Sequence, residues 1–451
     1  MRREANAPEA SGGTKRWPCD LTRYTPPLSP VLDLSDAFVL PTGPDGGRVA
    51  ELRAFTHGLM PQTTPAIMQA FCEDWAERGV DAWNGVPDRW DIGHQTSWWT
   101  LPEDLGDRWI SPLLSAAPGT CVLQPNVHWT VAALLSCDEP FDGRTGVVLS
   151  EAEFPSVRHN VRQWAGLREI NMHEVAASGA DVDVEAMLDA ITDDTAWVFV
   201  SHVGFASGAK LPDAAIRALA DRAHARGALL CVDGYHATGS VDVDVNALGA
   251  DVYVGGLLKE ASGSSGNSYL YVRPGLDLRP RLSGWFADAD PFGFNAAPEP
   301  HPRVRRRFLA GTTAVASMYH AVEGLRVLLG PGLDAVRQDS LDKTGYAIER
   351  IDALLAPEAA GASGVHLRSP REAERRGAMI VLAMPDADKM CAWLKTRGVY
   401  TDSRRGEVLR FAPFVWNTQE DIDRCVDAIA EALETGAHLR YEAPTEAGPV
   451  T

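Results

Sequence analysis

Short apolar runs alternate with segments of helical period between about residues 112 and 272. The predicted strands cover residues 121–123, 147–149, 196–200, 229–232, 251–254 and 268–272. Most of these runs are apolar at consecutive positions, as in strands that are buried on both faces, and helix-length intervals separate them. This pattern predicts an α/β domain in which helices cover a mostly parallel sheet.

The pattern changes after about residue 320. A helical stretch over 316–356 is interrupted at residues 330–332, where a Gly-Pro-Gly sequence should break or kink the helix. A strand over 378–383, a helix over 387–397, a strand over 409–412 and a helix over 421–434 are predicted after it. We therefore expect an N-terminal arm (1–50), a large α/β domain (51–320), a small α+β domain (321–440) and a tail (441–451).

The charge of the chain restricts its partners. Lysine and arginine number 42 against 61 aspartate and glutamate residues, which gives a formal net charge of −19. Nucleic acid and anionic membrane surfaces are not expected as partners, because both require clustered positive charge. No apolar run reaches the roughly 18 residues of a membrane-spanning helix, and no apolar leader is visible, so neither a span nor a secretory signal is predicted.

The cysteines indicate the compartment. Seven occur singly, without a C-x-x-C pair: Cys19, Cys72, Cys121, Cys137, Cys231, Cys391 and Cys425. An odd number of scattered thiols is typical of a reduced protein and differs from a disulfide framework or a structural zinc site. We expect a cytoplasmic protein without a bound metal.

Two polar residues follow apolar runs at the kind of place where open parallel sheets bind ligands. Asp233 comes directly after the strand over 229–232, and Lys259 follows the strand over 251–254 in a loop rich in small residues. Lys259 is one of only six lysines in the chain, against 36 arginines. Either residue alone is ordinarily a helix cap or a solvated loop residue. The two together, 26 positions apart, favour a shared site.

Pyridoxal phosphate chemistry requires such a pair. A lysine amine forms a Schiff base with the cofactor aldehyde. A carboxylate keeps the pyridine nitrogen protonated, so that the ring can withdraw electrons. The sequence therefore predicts an enzyme that uses pyridoxal 5′-phosphate, with Lys259 and Asp233 in these two roles.

Further motifs occur in order along residues 52–433. They are Gly106-Asp107-Arg108, Ala117-Pro118-Gly119, Leu149-Ser150-Glu151-Ala152-Glu153-Phe154-Pro155, Ser201-His202-Val203, Asp233-Gly234-Tyr235-His236-Ala237-Thr238-Gly239, Gly284-Trp285-Phe286, Arg307-Phe308-Leu309-Ala310-Gly311-Thr312 and Val408-Leu409-Arg410-Phe411 with Asn417. Through them the chain resembles the fold type I pyridoxal phosphate enzymes of the class V aminotransferase group, and within that group kynureninase most closely. The resemblance implies a seven-stranded type of sheet in the large domain.

The resemblance also implies roles for individual residues. Lys259 corresponds to the Schiff-base lysine, Asp233 to the partner of the pyridinium and His236 to a histidine beside the cofactor. Arg410 corresponds to the arginine that binds the substrate α-carboxylate, a contact that suits a planar guanidinium. His57 lies in a segment that shapes the substrate pocket in the resembled family.

Five more residues are implied to hold the cofactor. The ring of Phe154 would lie on the cofactor ring. Val127 and His128 open a helix, whose backbone amides and dipole can hold the phosphate. Trp285 and Thr312 resemble residues that reach the phosphate in the neighbouring subunit's site. The resemblance therefore implies a homodimer with shared active sites.

The chain departs from the kynureninase pattern at three places. Leu258 replaces the tyrosine that usually precedes the Schiff-base lysine, and Val157 replaces an aspartate shortly after the Phe-Pro pair. The phosphate turn over 125–128, usually rich in serine and threonine, reads Pro-Asn-Val-His. Tyr235 is a candidate to replace the lost phenol.

The resemblance implies a reaction on a small amino acid. Loss of the Cα proton would give a quinonoid, and a kynureninase-like route would cleave the Cβ–Cγ bond by hydrolysis and release alanine. Because of the departures, a class V aminotransferase, a β-eliminating C–S lyase and an epimerase stay open as alternatives. A non-catalytic scaffold is a further alternative. A nucleotide-dependent oxidoreductase is disfavoured, because no G-x-G-x-x-G opens a helix in the first strand unit.

Overall fold

The fold is taken from a computed structural model that describes residues 32–43, 46–177, 181–355 and 364–441. Its strands are β1 (Ala50–Glu51), β2 (Cys121–Gln124), β3 (Gly146–Ser150), β4 (Asn171–Val175), β5 (Thr195–Ser201), β6 (Leu229–Asp233), β7 (Val252–Gly256), β8 (Ser268–Val272), β9 (His366–Leu367), β10 (Ile380–Ala383), β11 (Val399–Tyr400), β12 (Asp402–Arg404) and β13 (Val408–Phe411). The expectations for residues 1–31 and for the tail after residue 441 lie outside the described residues.

The helices follow the predicted alternation with the strands. They are α1 (Thr64–Arg78), α2 (Leu101–Leu105), α3 (Ser111–Leu113), α4 (Val127–Leu135), α5 (Pro155–Ala165), α6 (Val184–Ala190), α7 (Asp213–Ala225), α8 (Val245–Leu248), α9 (Val315–His320), α10 (Glu323–Leu329), α11 (Leu333–Leu354), α12 (Ala387–Thr396) and α13 (Gln419–Thr435). The helix predicted over 316–356 is thus three helices, with a further break at residues 321–322. At this break the chain bends round the turn that follows β7, where a Cβ on Gly263 would lie 2.1 Å from the Ala321 carbonyl oxygen.

Seven strands form the central sheet in the order β2-β8-β7-β6-β5-β3-β4. All run parallel except β8, which is antiparallel to both of its neighbours. Alternate residues of each strand enter two different cores, since Trp197 and Phe199 pack with α4 and α5 while Val198 and Val200 pack with α7. The sheet is therefore buried on both faces, as its apolar runs predict.

A second unit follows in the last quarter of the chain. The strands β12-β13-β10-β9 form an antiparallel sheet, and α11, α12 and α13 pack against it around a separate apolar core. The short strand β1 belongs to this unit, because it pairs in parallel with β11 and its Ala50 lies in the same core. The division of the chain at residues 50 and 320 stays a prediction. Throughout the described ranges, no helix combines the length and the apolar character that crossing a bilayer requires.

Candidate active site

The sheet brings the two predicted key residues to one edge. Asp233 is the last residue of β6, and β7 ends at Gly256, three positions before Lys259. The two strands are parallel neighbours, and Asp233 is in register with Val254. Their carboxyl ends therefore open at the same edge, where α/β sheets bind ligands.

The Lys259 ammonium faces a histidine and two aromatic rings. Its Nζ lies 2.5 Å from His236 Nε2, 5.0 Å from the ring centroid of Tyr235 and 6.0 Å from that of Phe154. Burial and the charges of Lys259 and Arg410 hold the pKa of His236 well below its usual range, so the imidazole is neutral and accepts from the lysine. Burial also lowers the pKa of Lys259, which favours the free amine.

Three glycines hold the backbone of the Lys259 turn. A Cβ on Gly58 would lie 2.1 Å from the Lys259 carbonyl oxygen, and one on Gly324 would lie 2.0 Å from that of Ala261. Gly239 also borders the turn, although its Cβ would lie further off, 3.2 Å from the Ala261 nitrogen. Any side chain at Gly58 or Gly324 would displace the backbone of the turn. The three glycine-containing segments therefore fix the backbone position from which the Lys259 side chain extends.

Asp233 is buried at the other end of this site. Its Oδ1 accepts a hydrogen bond of 2.9 Å from the Tyr235 backbone N–H. Burial raises the pKa of the Asp233 carboxyl to about 6, although the Tyr235 N–H and the Lys259 charge oppose that rise. The carboxyl is thus ionised at pH 7 and would be held more firmly so by a cation placed against it.

Arg410 reaches the same edge from the second unit. It lies on β13 with 4% exposure and forms a bidentate pair with Asp402, in which both N···O distances are 2.8 Å. A third N–H donates to the Phe205 carbonyl at 2.9 Å. Its charge acts on both Lys259 and His236. Since a guanidinium carries five N–H donors, two remain for a carboxylate.

The predicted phosphate turn is the start of α4. Asn126 is the N-cap, and its side chain accepts from the Trp129 backbone N–H at 2.8 Å. The N–H groups of Val127 and His128 open the helix and have no partner within it, as is general for a first turn. The His128 ring instead contacts Asn160, with Nδ1 2.9 Å from Nδ2. The backbone of this turn can therefore hold an anion.

The residues predicted to serve a neighbouring subunit are exposed. Trp285 is 41% exposed, and its indole N–H donates to the Pro291 carbonyl. Thr312 lines a cleft of about 220 Å³ together with Gln124, Pro125 and Trp129 of its own chain. Whether either residue contacts a second subunit stays a prediction.

Two of the predicted substrate and cofactor residues lie beside the Lys259 turn. His57 is exposed and precedes Gly58, whose N–H donates to the Leu258 carbonyl at 3.0 Å. Phe154 is 44% exposed and forms an edge-on contact with Phe205 at 5.3 Å between centroids. Both side chains are thus free to meet a bound molecule.

Sequence reasoning missed three buried carboxyls at this edge: Glu153, Glu260 and Asp402. Glu153 follows β3 just as Asp233 ends β6, so the same strand-end rule could have found it. Asp402 gave no such signal, because its partner Arg410 lies on another strand. Burial raises the pKa of Glu260, while the adjacent Lys259 charge lowers it.

Comparisons with known proteins identify the family and several relatives of the chain. The family model described as class V aminotransferase matches residues 129–424. The kynureninase of Burkholderia pseudomallei strain 1106a is 28% identical over 428 residues, covering 93% of this chain and 96% of the relative. An uncharacterized aminotransferase, YcbU of Bacillus subtilis strain 168, is 30% identical over 327 residues, covering 71% of this chain and 81% of the relative.

Solved structures share the fold. A cysteine desulfurase from Thermococcus onnurineus NA1 superimposes with a TM-score of 0.70 at 17% identity, covering 86% of this chain and 95% of that one. The cystine C-S lyase C-DES, solved with its product cysteine persulfide, gives 0.71 at 16% identity, covering 85% and 97%. These likenesses confirm the predicted fold class.

Proposed function

The chain belongs to the class V aminotransferase family and is a pyridoxal phosphate-dependent enzyme, and we propose that it acts on a small α-amino acid in a kynureninase-like reaction. The observation that carries the proposal is the contact of 2.5 Å between Lys259 Nζ and a neutral His236, on the sheet edge that also holds Asp233. A partly buried amine kept reactive beside a buried carboxylate is the arrangement that the cofactor needs.

The residues at this edge fit the cofactor. When bound, pyridoxal phosphate supplies an aldehyde that condenses with amines and a ring that withdraws electrons. Lys259 offers the amine, and Asp233 has one carboxylate oxygen outside its hydrogen bond to the Tyr235 amide. The first turn of α4 offers backbone N–H groups for the phosphate.

Lys259 and His236 would manage the proton of the amine. The neutral imidazole accepts from the ammonium and so holds Nζ in one direction, while burial favours loss of the proton. As a free amine, Lys259 Nζ would be able to accept the proton of the substrate Cα and hold it as an ammonium that donates to His236. His236 acts by orienting this amine.

Arg410 would orient the substrate. Asp402 and the Phe205 carbonyl fix its guanidinium plane, which leaves two N–H donors for an α-carboxylate. Lysine could not reproduce this arrangement, because it lacks the planar fork. His57, next to Gly58, and Tyr235, whose ring centroid is 5.0 Å from Lys259 Nζ, would contact the rest of the substrate.

The first test is the covalent link to Lys259. The purified protein should show an absorbance band that borohydride abolishes and that peptide mapping assigns to Lys259. A reducible band that persists in Lys259→Ala would overturn the assignment.

The second test is the reaction. We expect incubation with kynurenine to release alanine, detected by mass spectrometry, because the kynureninase relative matches over 93% of this chain. Release of a 2-oxo acid, of ammonia with sulfide, or of a racemised amino acid from a panel of substrates would instead identify an aminotransferase, a lyase or an epimerase. No turnover of any donor with cofactor bound would support the scaffold alternative.

A homodimer with shared sites is part of the same proposal. It is supported by the exposure of Trp285 and Thr312, both of which are open to solvent in a single chain. Light scattering should give twice the chain mass of 48.8 kDa. Mixing Lys259→Ala with Trp285→Ala should restore part of the activity if each site draws on both chains; a monomeric mass contradicts this arrangement.

A further inference from the structure

Glu153 is a buried carboxyl that the proposed chemistry does not use. It lies in the loop between β3 and α5, directly before Phe154, and its residue is 0% exposed. The strand β3 pairs with β5, and β5 pairs with β6, which ends in Asp233. Glu153 is therefore placed two strands from Asp233, at the same edge of the sheet.

Ser201 binds the Glu153 carboxyl and lies beside Asp233 in the sheet. Its backbone N–H and its hydroxyl donate to the two oxygens of Glu153, both at 2.6 Å. Ser201 is the last residue of β5 and is in register with Asp233 on β6. Glu153, Ser201 and Asp233 thus form a row across three strand ends.

Few charges other than Asp233 act on Glu153. Burial first, and then the Asp233 charge, raise the pKa of Glu153 to about 7, against the hydrogen bonds from Ser201. Arg158 on α5 lowers it but is itself paired with Glu174 at 2.5 Å. Burial and the charges of both carboxyls also raise the pKa of the Cys231 thiol, two residues before Asp233 on β6.

We propose that Glu153 is a positioning residue for the cofactor, acting through Asp233. Its carboxylate adds a second negative charge behind Asp233, so that the ring nitrogen keeps its proton to a higher pH than Asp233 alone would allow. The inference rests on the proposed function, because Asp233 is assigned there to the ring nitrogen. Glu260 is the matched carboxyl, equally buried but facing Lys259 and Tyr235.

The first experiment needs no cofactor. In the full-length protein freed of cofactor and labelled with ¹³C at glutamate side-chain carboxyls, the signal lost in Glu153→Gln identifies Glu153. Its titration midpoint should fall by about half a pH unit or more in Asp233→Asn, because a like charge has been removed. A midpoint that does not move overturns the coupling, whatever Asp233 does in the holoenzyme.

The second experiment follows the ring. In the holoenzyme loaded with cofactor that carries ¹⁵N in the ring, the chemical shift reports protonation of that nitrogen. Glu153→Gln should lower the titration midpoint by about half a unit to one unit, a threefold to tenfold loss of proton affinity. Glu153→Asp should return the titration midpoint of the ring nitrogen most of the way to the wild-type value, since the carboxylate charge is present again. Glu260→Gln should shift the midpoint less than Glu153→Gln.

The outcomes separate the possible failures. Equal midpoints in wild type and Glu153→Gln overturn the inference, because a residue that only held Ser201 would leave the ring nitrogen unaffected. If Glu153→Gln does not retain cofactor, the titration in Asp233→Asn decides the question. If wild-type Lys259 carries no reducible cofactor, the proposed function fails, while the carboxyl coupling can still be measured.

Discussion

Lys343 and Lys259, both within the described part of the chain, have opposite surroundings. Lys343, on α11, is 0% exposed and donates to Asp339 Oδ2 at 2.9 Å, to the Leu32 carbonyl at 2.9 Å and to the Phe414 carbonyl at 3.0 Å. Lys259 has only the neutral His236 within hydrogen-bond distance among the residues described.

The difference separates a structural amine from a reactive one. Three acceptors satisfy all three N–H groups of Lys343, and one of them is a carboxylate, so its charge is compensated and immobile. Lys259 faces a neutral ring at close range and carboxyls only further away, which leaves the amine able to lose its proton. Burial alone would not distinguish them, since it lowers the pKa of both.

The largest expected effect is on the cofactor. Lys259→Ala should lower turnover about a thousandfold or more, because the nucleophilic amine is absent. Lys343→Ala should keep the reducible absorbance band under all conditions in which the variant is folded. The comparison fails if the two variants lose the band equally at a temperature where circular dichroism shows both to be folded.

The free energy of unfolding should depend more on Lys343 than on Lys259, the reverse of their effects on turnover. Lys343→Met should cost about 3–5 kcal/mol in the free energy of unfolding by urea, since Asp339 would be left buried and unpaired. Lys259→Met should cost little or increase stability, because it removes a poorly compensated charge. Adding Asp339→Leu to Lys343→Met should recover much of the loss; a single variant as stable as wild type would contradict the structural role of Lys343.

Two glycines extend the comparison to the backbone. Gly58→Ala should reduce kcat/KM about tenfold to a hundredfold, because its Cβ would lie 2.1 Å from the Lys259 carbonyl and displace the turn. Gly345→Ala, on α11 beside Lys343, meets nothing closer than Arg376 Nη2 at 3.4 Å and should raise the melting temperature slightly. Similar kinetics in both variants would show that the turn tolerates movement.

The smallest effect is on the titration of the amine. The Glu260 carboxylate raises the pKa of Lys259 by stabilising its ammonium, so Glu260→Gln should lower that pKa by about half a unit to one unit. Trace acetylation of cofactor-free protein across a pH series, read by mass spectrometry, gives the midpoint. Lys343 should stay unlabelled until the protein unfolds, and early labelling there would contradict its burial.

The sequence allowed Lys259 and Asp233 to be predicted because each follows an apolar strand, and strand ends meet at a known edge. It also gave most of the central strands, whose residues are apolar at consecutive positions. The edge strand β4 escaped prediction because its residues, Asn171–Val175, are partly exposed and mixed in polarity. The helix α1 escaped for a similar reason, since of its residues only Ile67, Ala70 and Asp74 are buried.

The partners of the site residues could not be predicted in the same way. Asp402 is eight positions from Arg410 and meets it only because β12 and β13 are antiparallel neighbours. Glu153 and Ser201 are 48 positions apart and meet through the pairing of β3 with β5. Such contacts depend on strand order, which local hydrophobic patterns do not encode.

The pairing of β1 with β11 has a consequence for biosynthesis. Ala50 and Val399, which are in register, lie about 350 residues apart in sequence. During translation at roughly 5–20 residues per second, Ala50 is made at least about 17 seconds before its partner Val399. The central sheet can therefore form before β1, eight positions upstream of Gly58 at the Lys259 turn, gains its pairing with β11. Assembly of the reactive lysine's surroundings thereby depends on the later synthesis of β11 and of β13, which carries Arg410.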